Sequence, residues 1–281
     1  MNVILRACLK TLFLLVASGA AASETALFFS VKKLLPEENS DIIILEKPQF
    51  TVFYNPEKLI PEFVLWHLEK SDLGTEGRSN DFRPDFQLAE SFYRVKKRDY
   101  QYTHYGFARG HVCPSADRTD TKENNSATFL MTNMIPQSPD LNRIVWKNLE
   151  EYERELAVLG NELYIVAGQF GLGGTGAYGS FSEIPVEQAK TQKPCNITVP
   201  AYCWKIILLL PPGENDLQRV TSETSVISVC MPNEQGLQQR GSWDAYLCTV
   251  DYIEEQSGWD FFTALDDEIE NAIESRVYTV K

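Results

Sequence analysis

His111 stands directly after Arg109 and Gly110, and its chemistry is that of a general base: an imidazole neutral near physiological pH can take a proton from water. Guanidinium groups make forked hydrogen bonds to phosphate oxygens, which suits Arg109 and Arg78 to clamping a phosphate and offsetting charge that develops on it. Asn142 offers a neutral oxygen. That is a poor basis for a zinc site, but a hard cation such as magnesium keeps most of its water and takes one or two protein ligands. A base, a cation and a positive clamp are what hydrolysis of a phosphodiester by water requires. Gly110 beside the histidine permits a backbone geometry, or a close substrate approach, that a side chain would block.

Each residue also has a plainer reading. Asn142 is equally suited to capping a helix near whose start it falls. His67 and His104 lack comparable neighbours and read as structural or surface residues. Cys113, two residues past His111, has no partner to activate it and reads as a buried thiol or half of a disulfide. Lys96, Lys97 and Arg98 serve solubility as readily as phosphate contact.

The elements that must position these groups follow from patterning. Ile42–Leu45 and Phe50–Tyr54 read as strands broken at Lys47-Pro48, and Phe63–His67 as another. Gly74–Asp85 is rich in turn formers and reads as an exposed loop carrying Arg78. Leu141, Val145, Leu149, Tyr152 and Leu156 recur every three or four residues, predicting a helix capped by Ser138 or Asp140 and ended at Gly160. Leu163–Ala167, Ile197–Leu210 and Val226–Cys230 are nearly continuous in apolar residues and read as central strands. Gly168–Gly179 is a glycine-rich connection whose spacing does not fit a dinucleotide fingerprint. The architecture expected is α+β, a mixed or antiparallel central sheet with flanking helices.

Composition bounds the setting. The 281 residues are 43% hydrophobic and 23% charged, which fits one large folded domain. Residues 1–22 place Arg6 and Lys10 around an apolar run, Leu12 to Ala17, before Ala20-Ala21-Ala22, and read as a removed signal peptide, leaving residues 23–281 as a secreted or periplasmic chain. Export into an oxidising compartment allows disulfides among Cys113, Cys195, Cys203, Cys230 and Cys248, at most two because the number is odd. The net charge of −13, about −15 without Arg6 and Lys10, opposes long-range attraction to nucleic acid. Basic residues nevertheless outnumber acidic ones between Arg78 and Arg118, so a local basic groove on an acidic body is expected.

Phe107-Ala108-Arg109-Gly110-His111, then Asn133-Met134-Ile135-Pro136-Gln137, Leu141-Asn142, Trp146 and Leu149-Glu150 resemble the DNA/RNA non-specific endonucleases, the ββα-metal nucleases that include endonuclease G. Thinner matches run through Tyr54-Asn55-Pro56, Arg78 with Phe82 and Asp85, Val199-Pro200 with Lys205, and Ile253-Glu254 to Phe262. The resemblance implies a ββα-metal core, DNA and RNA as substrates held through their phosphates, and Mg2+ or Mn2+ as cofactor. It implies His111 as base, Arg109 and Arg78 on substrate, Asn142 on the metal, and Asn133 as a residue that orders the site. Glu150 lies eight residues beyond Asn142, within about 80° around an α-helix, and by the resemblance reaches the metal's water ligands from behind. Glu151 and Glu153 read as charges on a solvated helix face and Trp146 as core. The first block departs from the family's Asp-Arg-Gly-His by placing Ala108 at the aspartate, so a catalytically silent nucleic-acid binder of the same fold stands beside the active endonuclease. No stable membrane insertion is expected, and oligomeric state is left open.

Overall fold

The computed structural model describes residues 32–33, 42–186 and 195–280, so the expected signal peptide lies outside the described residues. The strands that build and support the site are β1 (Ile43–Glu46), β2 (Thr51–Asn55), β3 (Ile60–Leu68), β4 (Ala108–His111), β5 (Met134–Gln137), β6 (Glu162–Phe170), β7 (Tyr202–Leu210) and β8 (Ser225–Pro232). The principal helices are α1 (Trp146–Val158), α2 (Val250–Ser257) and α3 (Asp267–Glu274).

Six strands form one antiparallel sheet in the order β8-β7-β6-β3-β2-β1. Alternation along the strands sends side chains to two separate cores. Trp66, Ile165, Ile207 and Val229 face α1, whose Trp146 and Leu149 are buried against them. Phe63, Val166, Ile206 and Val226 face the other way, under Val250 and Ile253 of α2 and Ile273 of α3. Burial on both faces explains why the central strands are nearly continuous in apolar residues.

Ile197–Leu210 does not form one strand. Pro200 has no N–H to give a ladder, and its carbonyl instead accepts from Asn233 Nδ2 at 2.9 Å. The run divides into Asn196–Thr198, paired with Glu183–Pro185, and β7. The glycine-rich connection becomes a small hairpin of Gly174–Gly176 with Gly179–Phe181.

β3 and β6 are neighbours in the sheet, and everything between them, residues 69–161, is an excursion that carries the ββα unit: the β4–β5 hairpin followed by α1. The helix does not start as a plain α-helix. Ser138 Oγ accepts from Leu141 N at 3.2 Å, but Leu141–Val145 is a π-helical turn before α1 begins. Asp140 is not the cap; its Oδ2 accepts from Gly236 N at 2.7 Å. The far end closes as expected, with Gly160 at φ +98° and Asn161 N donating to Leu156 O at 3.1 Å.

Among the described residues, Cys113, Cys203, Cys230 and Cys248 are thiols rather than halves of the expected disulfides. Cys203 and Cys230 lie on adjacent strands, but Cys203 joins the core under α1 and Cys230 packs on the opposite side of the sheet, so their sulfurs cannot meet.

Candidate active site

β4 pairs with β5 so that His111 lies opposite Met134, Gly110 opposite Ile135 and Arg109 opposite Pro136. The two-residue period sends Arg109 and His111 to the same side of the hairpin. Phe82 and Phe129, in edge-on contact at 5.0 Å, bracket them there. His111 meets Phe82 at 5.6 Å and Phe129 at 4.8 Å. The guanidinium of Arg109 lies over Phe82 at 4.6 Å and that of Arg78 over Phe129 at 4.9 Å. Two aromatic rings thus carry His111 and both arginines, which sequence spacing alone leaves 33 residues apart at the extremes, Arg78 and His111.

Electrostatics follow from that packing. Burial, then Arg78 and Arg109, hold the His111 imidazole well below its ordinary pKa, so it is neutral at physiological pH. Its Nε2 is enclosed without a hydrogen-bond partner. Burial also lowers both guanidiniums somewhat from an ordinary value so high that they stay charged, and Glu150 opposes the effect at Arg78. Arg78 is anchored, donating from Nη1 to Ser115 Oγ at 2.8 Å and from Nε to Asn80 Oδ1 at 3.0 Å. Arg109 Nε, by contrast, is buried with no partner, and this guanidinium borders a cleft of about 390 Å³. Arg78, Phe82, Tyr102, Ala108, Asn142 and Arg143 also line the cleft, which has no acidic side chain among its lining residues.

Asn142 enters the cleft from the π-turn, and Gln137 sets its orientation. Asn142 Nδ2 donates to Gln137 Oε1 at 2.8 Å, which leaves its amide oxygen outside that bond, and the residue lines the cleft. Gln137 reaches that position across Gly110, where an added Cβ would fall 2.0 Å from Oε1. The close approach that Gly110 permits is therefore that of Gln137 rather than of a substrate, and its backbone is not in the left-handed region. Glu150, on α1, is half-buried and pushed up to about 7 by burial, against the pull of Lys205. An oriented amide oxygen with a carboxylate nearby in sequence on the same helical run fits a hard cation with few protein ligands. Among the described residues, no group of three His, Cys, Asp or Glu ligands adjoins the cleft.

Asn133 stands behind the site. It is fully buried, accepts from Cys113 N at 2.9 Å and donates to the carbonyls of Cys113 and Thr128, each at 2.9 Å, so it braces the chain leaving His111. Glu153 is not a solvated charge: it is fully buried and accepts from Lys205 Nζ at 2.9 and 3.1 Å. Lys205 in turn lies 4.7 Å from the ring of Trp146 and 5.4 Å from that of Trp66. Asp117, also fully buried, accepts from Arg154 at 3.0 Å and from Trp66 Nε1 at 3.1 Å. This polar layer fastens α1 to the sheet behind Glu150. His67, packed on Tyr164, and His104, on an exposed turn, stay outside the cleft.

The DNA/RNA non-specific endonuclease family matches residues 31–268. The chain belongs to that family. A nuclease of Nostoc sp. is 41% identical over 237 residues, covering 84% of this chain and 79% of the relative. Human mitochondrial endonuclease G is 26% identical over 216 residues, covering 75% of this chain and 67% of that protein. A crystal structure of an EndoG/EndoGI complex aligns with TM-score 0.62 at 22% identity, over 79% of this chain and 86% of that one, and shows the shared fold. Family membership makes the chain an endonuclease, an enzyme of a divalent-metal-dependent class.

Within that frame, Arg78, Arg109 and His111 converge on one pair of aromatic rings, and Asn142 borders the same cleft as the two arginines. Sequence reasoning missed Phe129, Ser115, Arg143 and the role of Gln137. Phe129 carried no motif at all; Gln137 was visible in its block, but its use depends on a cross-hairpin contact.

Proposed function

We propose that this endonuclease is exported and hydrolyses phosphodiester bonds of both DNA and RNA with little sequence preference, with His111 as general base. The observation that carries this reading is a buried, neutral imidazole beside two guanidiniums, one of which has a buried nitrogen with no partner. A phosphate entering the cleft meets Arg109 and Arg78, and these contacts go to groups common to every nucleotide, which is why base sequence matters little. His111 takes the proton of an attacking water as its oxygen bonds to phosphorus and the bond to the leaving oxygen breaks; the arginines offset the added charge. No covalent intermediate is needed. Cys113, the nearest thiol in sequence, is fully buried, and burial raises its pKa far above the usual thiol range. Asn142 would hold one magnesium or manganese ion through Oδ1, with Glu150 behind it accepting hydrogen bonds from solvent. When bound, that ion supplies Lewis-acid stabilisation of phosphoryl and leaving-group charge.

Ala108 supports a second reading, a weak or silent nucleic-acid binder, because it lines the cleft where the family has a carboxylate and no acidic residue takes that place. The same experiment separates the two. Protein recovered from outside the cytoplasm, with a mature N-terminus near Ser23, is mixed with plasmid DNA and with RNA in magnesium, in EDTA, and as His111→Ala. Active enzyme predicts cleavage of both substrates, abolished by chelation and reduced at least a hundredfold in the variant. Binding without cleavage under every divalent ion would establish the silent relative, and retention in the cytoplasm with an intact N-terminus would overturn export.

A further inference from the structure

No step of the hydrolysis proposed above uses Tyr102, which opens the helical turn Tyr102–Tyr105 ahead of β4 and borders the same cleft as Arg109 and Asn142. The cleft's other aromatic ring, Phe82, already lies under two cations, the guanidinium of Arg109 at 4.6 Å and Lys97 Nζ at 5.7 Å. Among the described residues no cation covers Tyr102; its ring instead meets that of Tyr178 edge-on, at 6.2 Å and 70°. Tyr178 comes from the tip of the glycine-rich hairpin and is 58% exposed, so core packing does not account for an aromatic side chain there. The backbone fixes the two rings relative to the site. Ala177 N donates to Gly106 O at 3.1 Å, and a Cβ on Gly106, whose φ is +75°, would fall 2.5 Å from Ala177 N. Phe181, in the hairpin's second strand, packs edge-on against Tyr105 at 4.9 Å. Buried Asn233 accepts from Thr175 N at 2.8 Å through its carbonyl and from Ser138 N at 2.7 Å through its side chain, which joins the hairpin to the segment leading into the π-turn that bears Asn142.

We propose that Tyr102, buttressed by Tyr178, is a stacking platform for an unpaired nucleobase next to the phosphate held by Arg109 and Arg78, so that the cleft recognises single-stranded nucleic acid by more than its phosphates. The proposal rests on the reading of the two arginines as the phosphate clamp. A cleft of about 390 Å³ has the size that encloses one small organic group, and a base is tied to its phosphate through a single sugar. Every base has a π-face, so stacking on an aromatic ring adds about five- to a hundredfold in affinity per base without reading sequence. In a duplex both faces of a base are covered by its neighbours, and the platform is reached only after the base is unstacked, at a cost. Phosphate contacts alone carry no such discrimination.

The test reads binding rather than cleavage, so it does not depend on turnover. The full mature chain carrying His111→Ala is titrated at low salt, with fluorescence anisotropy as the readout, against three labelled probes. These are a short oligothymidylate, a chain of the same number of phosphates with tetrahydrofuran in place of every nucleoside, and a blunt duplex of the same length. Tyr102→Ala added to that chain should weaken oligothymidylate about five- to a hundredfold and change the other two probes by less than about twofold. Tyr102→Phe should keep the binding, because the ring and not the hydroxyl stacks. If Tyr102→Ala does not fold, Tyr178→Ala, at an exposed position, should weaken oligothymidylate alone by at least about twofold. Equal weakening of all three probes, or equal binding of oligothymidylate and the abasic chain before Tyr102 is changed, would overturn the platform while leaving the phosphate clamp in place. Absence of binding to every probe would sink both.

Discussion

A methyl group on Gly110 would collide with the Gln137 side chain that orients Asn142, so Gly110→Ala is a substitution at one residue with its effect at another. The variant is expected to fold, because Gly110 lies in ordinary strand conformation, yet to need about ten- to a hundredfold more magnesium for half-maximal rate, as loss of a ligand's supporting hydrogen bond does. Gln137→Ala should reproduce that shift, and magnesium titrations of initial rate on both variants check it. An unchanged magnesium requirement would show that Asn142 is held by something else. At this scale the sequence was informative where residue chemistry is self-contained. His111, Arg109, Arg78 and Asn142 are picked out by the motifs that carry the family resemblance, and their side-chain chemistry is compatible with the roles proposed for them. The parts of Gln137, Ser115 and Phe129 could not be read that way, since each depends on which neighbour it touches.

At the scale of elements, hydrophobic periodicity located the strands and the helix after Ser138, because two-sided burial and a single apolar stripe leave direct marks on composition. It could not reveal the π-turn at Leu141–Val145: the apolar positions still recur every three or four residues while the backbone bonding widens. The 80° relation drawn between Asn142 and Glu150 assumed an unbroken α-helix, and the wider π-turn changes the rotation between them. Nor could periodicity show that Glu153 is buried, since its partner Lys205 comes from a strand 52 residues away. That pair gives a prediction for how α1 is fastened. Lys205→Met should cost about 3–5 kcal/mol in urea unfolding by stranding a buried carboxylate, and Lys205→Met/Glu153→Leu should recover most of it. A double variant no more stable than the single one would mean the pair contributes more than mutual compensation.

Across the whole molecule, an acidic body surrounds a cleft whose charged lining is Arg78, Arg109 and Arg143. Three local phosphate contacts on a repelling body predict a shallow salt response. The logarithm of KM for duplex DNA should rise against the logarithm of salt with a slope no greater than about 2.7, from 0.9 per neutralised phosphate. Initial rates between low and physiological salt measure it, and a slope above roughly 6 would require a far wider basic surface than this cleft. The order of the chain along the sheet has a consequence for the timing of activity. The site residues from Arg78 to Glu150 are all synthesised before β6 and β7, yet α1 is seated on those strands and its buried Glu153 waits for Lys205. A chain delivered from its N-terminus, at a ribosome or through a membrane pore, thus holds every side chain named in the cleft while still lacking the floor beneath it. The nascent polypeptide is therefore expected to stay inactive until at least about three-quarters of it has emerged, and cleavage assays on chains stalled before and after β7 check this.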